Sequence, residues 1–223
     1  MKDSKKLWLE HKSKIAAHDV RLGPATAHDY VRDPKHLAFV ASRYKFVAKL
    51  LDGLETVVEM GCGDAFGAPI VAQHVKSLVC TDIDEETLED NRERCRSFAN
   101  IAFQYHDFRQ GALPRKVNAV FSVDVLEHIF PEEESALMAN MVASLADDGV
   151  AVIGTPNKEA DKWASEYSKI GHVNLKDHKG LRALCRRHFG NVFLFSMNDE
   201  VVHTGFYPMA HYLWAVCASP KGE

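Results

Sequence analysis

The fold is decided by the stretch VVEMGCGDAFG, residues 57–67, in which an apolar run ends in an acid and three glycines follow. Gly61, Gly63 and Gly67 have the spacing G-x-G-x-x-x-G, one residue longer than the G-x-G-x-x-G of nicotinamide-dependent enzymes. We predict a buried strand, a sharp turn and a helix whose first amide groups point at a ligand. The longer spacing counts against a dehydrogenase.

Length and composition bound the class of protein. The 223 residues fit one large domain, and 46% apolar and 26% charged residues are an ordinary globular balance. With 27 Lys+Arg against 31 Asp+Glu, the net charge of −4 lacks the positive field that nucleic-acid binding usually needs, so a nucleic-acid partner is disfavoured. No apolar run approaches the ~18 residues of a membrane span. Five cysteines without a C-x-x-C pair favour reduced thiols, and we expect a cytoplasmic protein with no membrane partner.

After residue 53, short apolar runs alternate with helical patterns, which predicts a parallel sheet with helices on both faces. Strands are expected at residues 56–60, 78–83, 101–106, 119–125, 150–154, 192–197 and 212–218. Helices are expected at residues 34–51, 69–75, 85–98, 132–145 and 177–189. Because no helical pattern separates the last two strands, we expect them to form an antiparallel pair at one edge.

The first part of the chain differs in character from the rest. It carries lysine, histidine and aromatic residues, with breaks at Gly23-Pro24 and Asp33-Pro34. We interpret residues 1–45 as an N-terminal helical cap, or lid, and residues 46–223 as the main domain.

Acidic residues close the next two predicted strands. Asp82 lies 21 residues after Gly61, the distance at which an acid accepts hydrogen bonds from ribose hydroxyls, although it could also cap the following helix. The third strand is followed by Asp107 and Phe108, which could meet an exocyclic amine and flank its ring, or form a plain loop.

Five stretches, VVEMGCGDAFG, CTDID, HDF, VNAVFSVDVLEHI and LADDGVAVIGTPN, resemble in order and spacing the class I S-adenosylmethionine-dependent methyltransferases. The resemblance covers about residues 37–220. It implies an α/β fold with a doubly wound, seven-stranded, mostly parallel Rossmann-like sheet, an antiparallel last strand and S-adenosylmethionine as cofactor. One departure is Ala65, where many members have a third glycine; we expect only a slight change in loop shape.

The resemblance also assigns cofactor contacts to several residues. The methionine part would lie against Glu59, Gly61 and Gly63, the ribose against Asp82, and the adenine against Ile83, Asp107 and Phe108. Asp124, at the end of the fourth strand, is assigned to the cofactor site as well.

The stretch SVDVLEHI places Asp124, Glu127 and His128 where a methyl acceptor should lie. His128 could be a general base, since histidine titrates near neutral pH. Alternatively the three residues could hold Mg²⁺ or Mn²⁺, which would acidify the acceptor hydroxyl. The pattern D-x-x-E-H resembles the metal-binding stretch of ubiquinone-biosynthesis and small-RNA O-methyltransferases, but a purely structural histidine is a third interpretation.

Later polar residues could complete this site. Asn157 follows the fifth strand, and the GHVN stretch carries His172, a second candidate base or ligand whose alternative is an exposed loop histidine. We therefore expect His128, Glu127 and His172 to be the catalytic candidates. Residues 199–216 could line a pocket or mediate contact between the subunits of a homo-oligomer.

The sequence predicts methyl transfer from S-adenosylmethionine to a hydroxyl of a small-molecule acceptor, either a sugar or a phenolic intermediate. RNA 2′-O-methylation is one alternative, which the acidic balance disfavours. A non-catalytic S-adenosylmethionine-binding regulatory module is another, and a nicotinamide dehydrogenase is a third.

Overall fold

A computed structural model describes residues 3–18, 20–164 and 166–222, without the side chains of residues 167 and 168. Within these residues the chain forms eight α-helices, three short 3₁₀ helices and eight strands. The helices are α1 (Ser4–Lys12), α2 (Pro24–Arg32), α3 (Pro34–Leu50), α4 (Ala68–Ala72), α5 (Glu85–Arg94), α6 (Pro131–Ser144), α7 (Glu166–Gly171) and α8 (His178–His188).

The strands form a single sheet in the order β3-β2-β1-β4-β5-β8-β6-β7. They are β1 (Thr56–Met60), β2 (Ser77–Asp82), β3 (Ile101–Tyr105), β4 (Val117–Val123), β5 (Leu145–Pro156), β6 (Phe189–Asn198), β7 (Val201–His203) and β8 (Tyr212–Pro220). The pairs among β1 to β5 are parallel, whereas β8 is antiparallel to both β5 and β6. The chain is a doubly wound α/β fold, as the sequence predicts.

The number of strands differs from the sequence-based expectation. The described residues form eight strands rather than seven, because β7 adds a three-residue strand after a tight turn at Asp199, whose φ is +49°. So short a strand has no alternation to detect. The predicted antiparallel pairing of the strands at residues 192–197 and 212–218 is confirmed, because β6 pairs with β8, and β7 lies outside this pair at the edge of the sheet.

The helix ends also differ by a few residues. The charged helix α5 ends at Arg94 rather than near residue 98, and α4 has only five residues. Both ends fall where polar turns follow the apolar pattern, which leaves the boundary weakly specified.

The core has two hydrophobic clusters, one on each face of the sheet. Val57 packs with α3, α4 and α5, whereas its neighbour Val58 packs with α6 and α8. This is the alternation that a strand buried on both faces requires. Because helices cover both faces of the sheet, a ligand can bind beyond the carboxyl ends of the parallel strands.

The N-terminal helices differ in how they pack. Every residue of α1 is exposed, whereas α3 buries Tyr44, Val47 and Ala48 against the sheet. Helix α3 runs through residue 45, so the boundary predicted there falls within a helix, and a separate cap remains a prediction. In α2, Thr26 donates from its backbone nitrogen and its hydroxyl to Asp64 of the glycine loop, each at 2.8 Å.

Among the described residues, no helix is long and apolar enough to cross a lipid bilayer. The five cysteines are buried and form no disulfide there.

Candidate functional site

A cavity of about 340 Å³ lies at the carboxyl ends of β1 to β4. In an open α/β sheet, ligands bind beyond these carboxyl ends of the strands. Its walls include eight residues that the sequence assigned to a site: Gly61, Gly63, Asp82, Ile83, Asp107, Phe108, Asp124 and His128. Residues far apart in the chain are thus brought to one place.

Gly61 and Gly63 shape the loop after β1. Both have positive φ values, but the space around their Cα atoms differs. Gly61 and Gly63 have φ values of +71° and +50°, a region that favours glycine. A Cβ atom on Gly61 would lie 2.6 Å from Cγ2 of Val125, whereas one on Gly63 would meet no protein atom within 4 Å. Gly63 therefore leaves its space free for a ligand that approaches the backbone.

The carboxylate of Asp82 closes the loop. Its Oδ2 accepts a hydrogen bond from the backbone nitrogen of Gly63 at 2.9 Å, and its Oδ1 accepts from Ile83 at 2.7 Å and Asp84 at 3.2 Å. Because a carboxylate oxygen has two lone pairs, Oδ2 can accept one more hydrogen bond from the cavity. The exposed side chain of Ile83 provides an apolar wall beside it. Gly63 and Asp82 form a cradle that fits a ribose, and Ile83 provides the surface for a flat base next to it.

Glu59 lies beneath the loop rather than in the cavity wall. It is fully buried, and its Oε1 accepts a hydrogen bond from the Tyr44 hydroxyl at 2.6 Å. Cys80 donates to Oε2 at 3.4 Å. Burial raises the pKa of Glu59 to about 8. The cavity wall here is formed by Met60, Gly61 and Gly63 instead.

The carboxylate of Asp107 is already committed to protein partners. Oδ1 accepts from the backbone nitrogen and Nε of Arg109, both at 2.9 Å, and Oδ2 accepts from Nη2 of Arg109 at 2.8 Å and from Gln110 at 2.9 Å. The hydrogen bond from Arg109 lowers the pKa of Asp107. An adenine amine would have to share these oxygens. Arg109, which sequence reasoning missed, also lines the cavity.

Asp124 is bound to a residue that no sequence pattern pointed to. Its Oδ2 accepts a hydrogen bond from Nη1 of Arg43 at 2.6 Å, and the guanidinium lies 4.1 Å from the centre of the Tyr212 ring. Asp124 also has a φ of +58°, in the left-handed region that costs a non-glycine residue about 1–2 kcal/mol. The ion pair and the bonds that its backbone nitrogen makes to Gly154 and Tyr212 hold it there.

Glu127 points into the protein, where it is fully buried. Thr155 donates to its Oε2 at 3.0 Å, and Oε1 has no hydrogen-bond partner among the described residues. Burial, followed by repulsion from Asp124, raises the pKa of Glu127 to about 8. An unpartnered buried carboxyl oxygen is costly, so a proton or a cation from outside the described chain fits there.

The orientation of His128 fixes which ring nitrogen can act. Its Nδ1 lies 2.8 Å from the carbonyl oxygen of Gly171, which can only accept, so Nδ1 carries the hydrogen. In the neutral ring, Nε2 is then the nitrogen with a free lone pair. This atom lies 4.0 Å from Oε1 of Glu127.

The structure brings His172 beside His128. The two ring centres are 5.4 Å apart, and Nδ1 of His172 is buried without a partner in the described part of the chain. Burial, followed by the charge of His128, lowers the pKa of His172. The backbone nitrogens of Val173 and Asn174 donate to the carbonyl oxygen of Glu127, which ties the two segments together.

The grouping of possible metal ligands differs from the one predicted. One ligand atom each from Glu127, His128 and His172 lie within 4.8 Å of one another, and in the described residues Asp124 is not part of this group. The physical reason is the ion pair that holds Asp124 on Arg43. Two imidazoles and one carboxylate suit Mn²⁺, Fe²⁺ or Zn²⁺ better than Mg²⁺, which prefers oxygen ligands.

Asn157 has a structural role in its present position. Its side-chain nitrogen donates to the carbonyl oxygens of Tyr207 at 3.0 Å and Ala210 at 2.8 Å. It therefore fixes the segment before β8.

Comparisons with known proteins agree with this geometry. Residues 57–149 match the family model described as "Methyltransferase domain". A protein of Mycolicibacterium smegmatis, described as a probable S-adenosylmethionine-dependent methyltransferase, is 26% identical over 103 residues. The match covers 46% of this chain and 38% of that protein, so the chain corresponds to about two fifths of the relative.

Solved structures share the fold. The N-methyltransferase NodS from Bradyrhizobium japonicum WM9 has a TM-score of 0.63 at 16% identity, over 85% of this chain and 98% of NodS. A second NodS structure contains S-adenosyl-l-homocysteine. The CurJ carbon methyltransferase has a TM-score of 0.61 at 12% identity, over 80% of this chain and 54% of that one. At these identities the likeness establishes the fold alone.

Proposed function

We propose that this chain, which carries a class I S-adenosylmethionine-dependent methyltransferase domain, transfers the methyl group of S-adenosylmethionine to a hydroxyl of a small acceptor. The observation that carries this proposal is a single cavity with the cradle of Gly63 and Asp82 at one part of its wall and Asp124 and His128 at another. A bound nucleoside and an attacking oxygen can therefore meet in the same space.

Bound in this cavity, S-adenosylmethionine supplies an electrophilic methyl group, and transfer to oxygen releases one proton from the acceptor. The loop at Gly61 and Gly63 and the carboxylate of Asp82 hold the donor. Alignment of the reacting groups is a large part of what such an enzyme contributes.

His128 removes the proton in the simplest route. Its Nδ1 is anchored on Gly171, so Nε2 is the basic atom. The protonated ring then lies 4.0 Å from Oε1 of Glu127, whose ionised form stabilises the imidazolium. An amine acceptor can attack as the free base without this help, so an imidazole poised as a base favours a hydroxyl.

A second route is favoured by the convergence of donor atoms from Glu127, His128 and His172. A divalent transition-metal ion held there would lower the pKa of the acceptor hydroxyl. Two findings fit such an ion: Oε1 of Glu127 is buried and unpartnered among the described residues, and the lowered pKa of His172 keeps that imidazole neutral.

Turnover with labelled S-adenosylmethionine on a panel of hydroxyl, amine and carbon acceptors tests the proposal, with and without a chelator. Methylation of hydroxyl acceptors supports it, and methylation of amines or carbon acids alone contradicts it. Turnover that survives the chelator assigns the proton to His128. Turnover that the chelator abolishes and Mn²⁺ or Zn²⁺ restores assigns the cluster to an ion.

The same assay tests the alternatives. RNA 2′-O-methylation predicts label in oligonucleotides rather than in small molecules. A regulatory module predicts binding of S-adenosylmethionine with no turnover on any acceptor.

A further inference from the structure

A second cavity, of about 240 Å³, lies next to the histidine pair. His172 lines this second cavity, and the ring of His172 contacts the ring of His128, which lines the first. The two cavities therefore meet at the histidine pair. A hydroxyl that reaches from a ring in the second cavity to this pair would lie at the border of the first cavity, beside the cluster to which the proposed function assigns the acceptor proton.

We propose that the second cavity binds the body of the methyl acceptor and that this body is a sugar ring. The inference rests on the proposed methyl transfer. The cavity is smaller than the roughly 300–1,000 Å³ of sites for drug-sized ligands, which fits one ring rather than a polymer segment.

The lining has the chemistry of a polyhydroxylated ring. The indole of Trp163 is 64% exposed and lies 6.1 Å from the ring of His211, measured between ring centres. Such an indole packs against the apolar C–H face of a sugar. Around it, Asp161, His172 and His211 bring a carboxylate and two imidazoles, which suit hydroxyl groups at the rim of the ring.

Two other ligand classes fit less well. A simple phenol has a single hydroxyl, which is consumed by the reaction, so it would offer no hydroxyl to Asp161 and His211. A cationic ligand is disfavoured because the ammonium of Lys162, 4.1 Å from the centre of the Trp163 ring, would repel a second positive charge at this indole. A neutral ring with several hydroxyls uses both the indole and the polar groups.

Trp163 also provides a direct readout. The chain has three tryptophans, of which Trp214 is fully buried and Trp8 lies on the exposed helix α1. In a Trp8→Phe background, Trp163 is the exposed fluorophore. The test titrates this protein, with S-adenosylhomocysteine present, with free hexoses, with UDP-linked hexoses and with catechol.

We expect a saccharide, and not catechol, to change the emission. Trp163→Ala and Asp161→Asn should raise the KM for that saccharide about tenfold while kcat and the affinity for S-adenosylhomocysteine stay within about twofold. Trp8→Ala, which removes an exposed tryptophan far from Trp163 in the sequence, is the matched control. It should change neither the KM for the saccharide nor kcat.

Three results overturn the inference: binding of catechol in preference to saccharides, no change in emission with any probe, or a KM that Trp163→Ala leaves unaltered. Failure of S-adenosylhomocysteine to bind is a separate result. It contradicts the proposed function itself and is seen before any acceptor is added.

Discussion

The backbone nitrogen of Gly63 lies 2.9 Å from Oδ2 of Asp82, so the loop after β1 and the end of β2 are joined by a hydrogen bond. Asp82 also lines the cavity that we assign to S-adenosylmethionine. One carboxylate thus shapes the loop and keeps a lone pair for the ligand.

Asp82→Asn should lower the affinity for S-adenosylhomocysteine by about 10–100-fold, or roughly 1.4–2.7 kcal/mol. The reason is that either orientation of the amide turns an NH₂ group toward backbone N–H donors at Gly63 or at Ile83 and Asp84. Isothermal titration calorimetry measures the effect. Asp84→Asn is the matched control, because Asn retains the cap on α5 and should bind as the wild type does. Equal affinities for the two variants would remove Asp82 from the site.

Alanine at the two loop glycines should separate folding from binding. Gly61→Ala should lower the free energy of unfolding by more than about 2 kcal/mol, because its Cβ would overlap Val125 and its φ is +71°. Gly63→Ala meets no protein atom and should cost only the conformational term of about 1–2 kcal/mol.

The affinity for S-adenosylhomocysteine should fall more in Gly63→Ala than in Gly61→Ala, the reverse of the order for stability. The new methyl group of Gly63→Ala enters the cavity and should weaken the affinity for S-adenosylhomocysteine by at least about tenfold. Urea denaturation and calorimetry on both variants measure the two quantities. A Gly63→Ala protein that binds normally would show that the ligand does not approach this backbone.

His128→Asn should lower kcat by about 10²–10⁴-fold with little loss of stability. The asparagine amide nitrogen can still donate to Gly171, where Nδ1 of His128 now does, but nothing replaces Nε2. The prediction holds for either route of proton removal, since both use Nε2. Steady-state kinetics and thermal denaturation check it, with His74→Asn, which changes a histidine paired with Asp52, as the control. Full turnover in His128→Asn would leave the cluster without a role in the reaction.

Stability should fall as pH rises between 4.5 and 8, in part because of Glu59. Burial raises its pKa from 4.5 to about 8, so in this range the folded state binds more protons than the unfolded state. Linkage then lowers the free energy of unfolding by up to about 1.4 kcal/mol per pH unit for each such group. Burial also raises the pKa of Glu127 to about 8, so this residue lowers the free energy of unfolding in the same way as pH rises.

Glu59→Gln should remove the contribution of Glu59 to the pH dependence of the free energy of unfolding. The amide keeps an oxygen for the Tyr44 hydroxyl and does not titrate. Urea denaturation at several pH values across the range measures the slope in both proteins. Parallel curves for the wild type and Glu59→Gln would mean that the carboxyl group titrates normally despite its burial.

The sequence predicts the parallel part of the sheet well because the information is local there. The five apolar runs predicted to form the parallel strands are all strands in the structure, and β1 has the predicted bounds of residues 56–60. Asp82 also ends β2, as its distance from Gly61 indicates. Spacing within one strand-turn-helix unit is sufficient for such predictions.

Contacts between distant segments leave no such local pattern. Arg43 meets Asp124 across 81 positions of the chain, and no periodicity in α3 marks this arginine as different from its neighbours. The burial of Glu127 is equally hidden, because a charged residue after a strand reads as exposed until Thr155 is found beside it. Arg109 had a weaker signal, a basic residue two positions after an acid that follows a strand, which indicates a local ion pair.

A crystal structure of this protein in complex with S-adenosylhomocysteine tests the assignment of the cavity most directly. We expect the ribose hydroxyls on Oδ2 of Asp82, the adenine over Ile83, and the sulfur facing the part of the cavity that His128 lines. A nucleoside bound elsewhere, or a cavity filled by protein side chains while the nucleoside is present, would contradict the assignment of this cavity to the methyl donor.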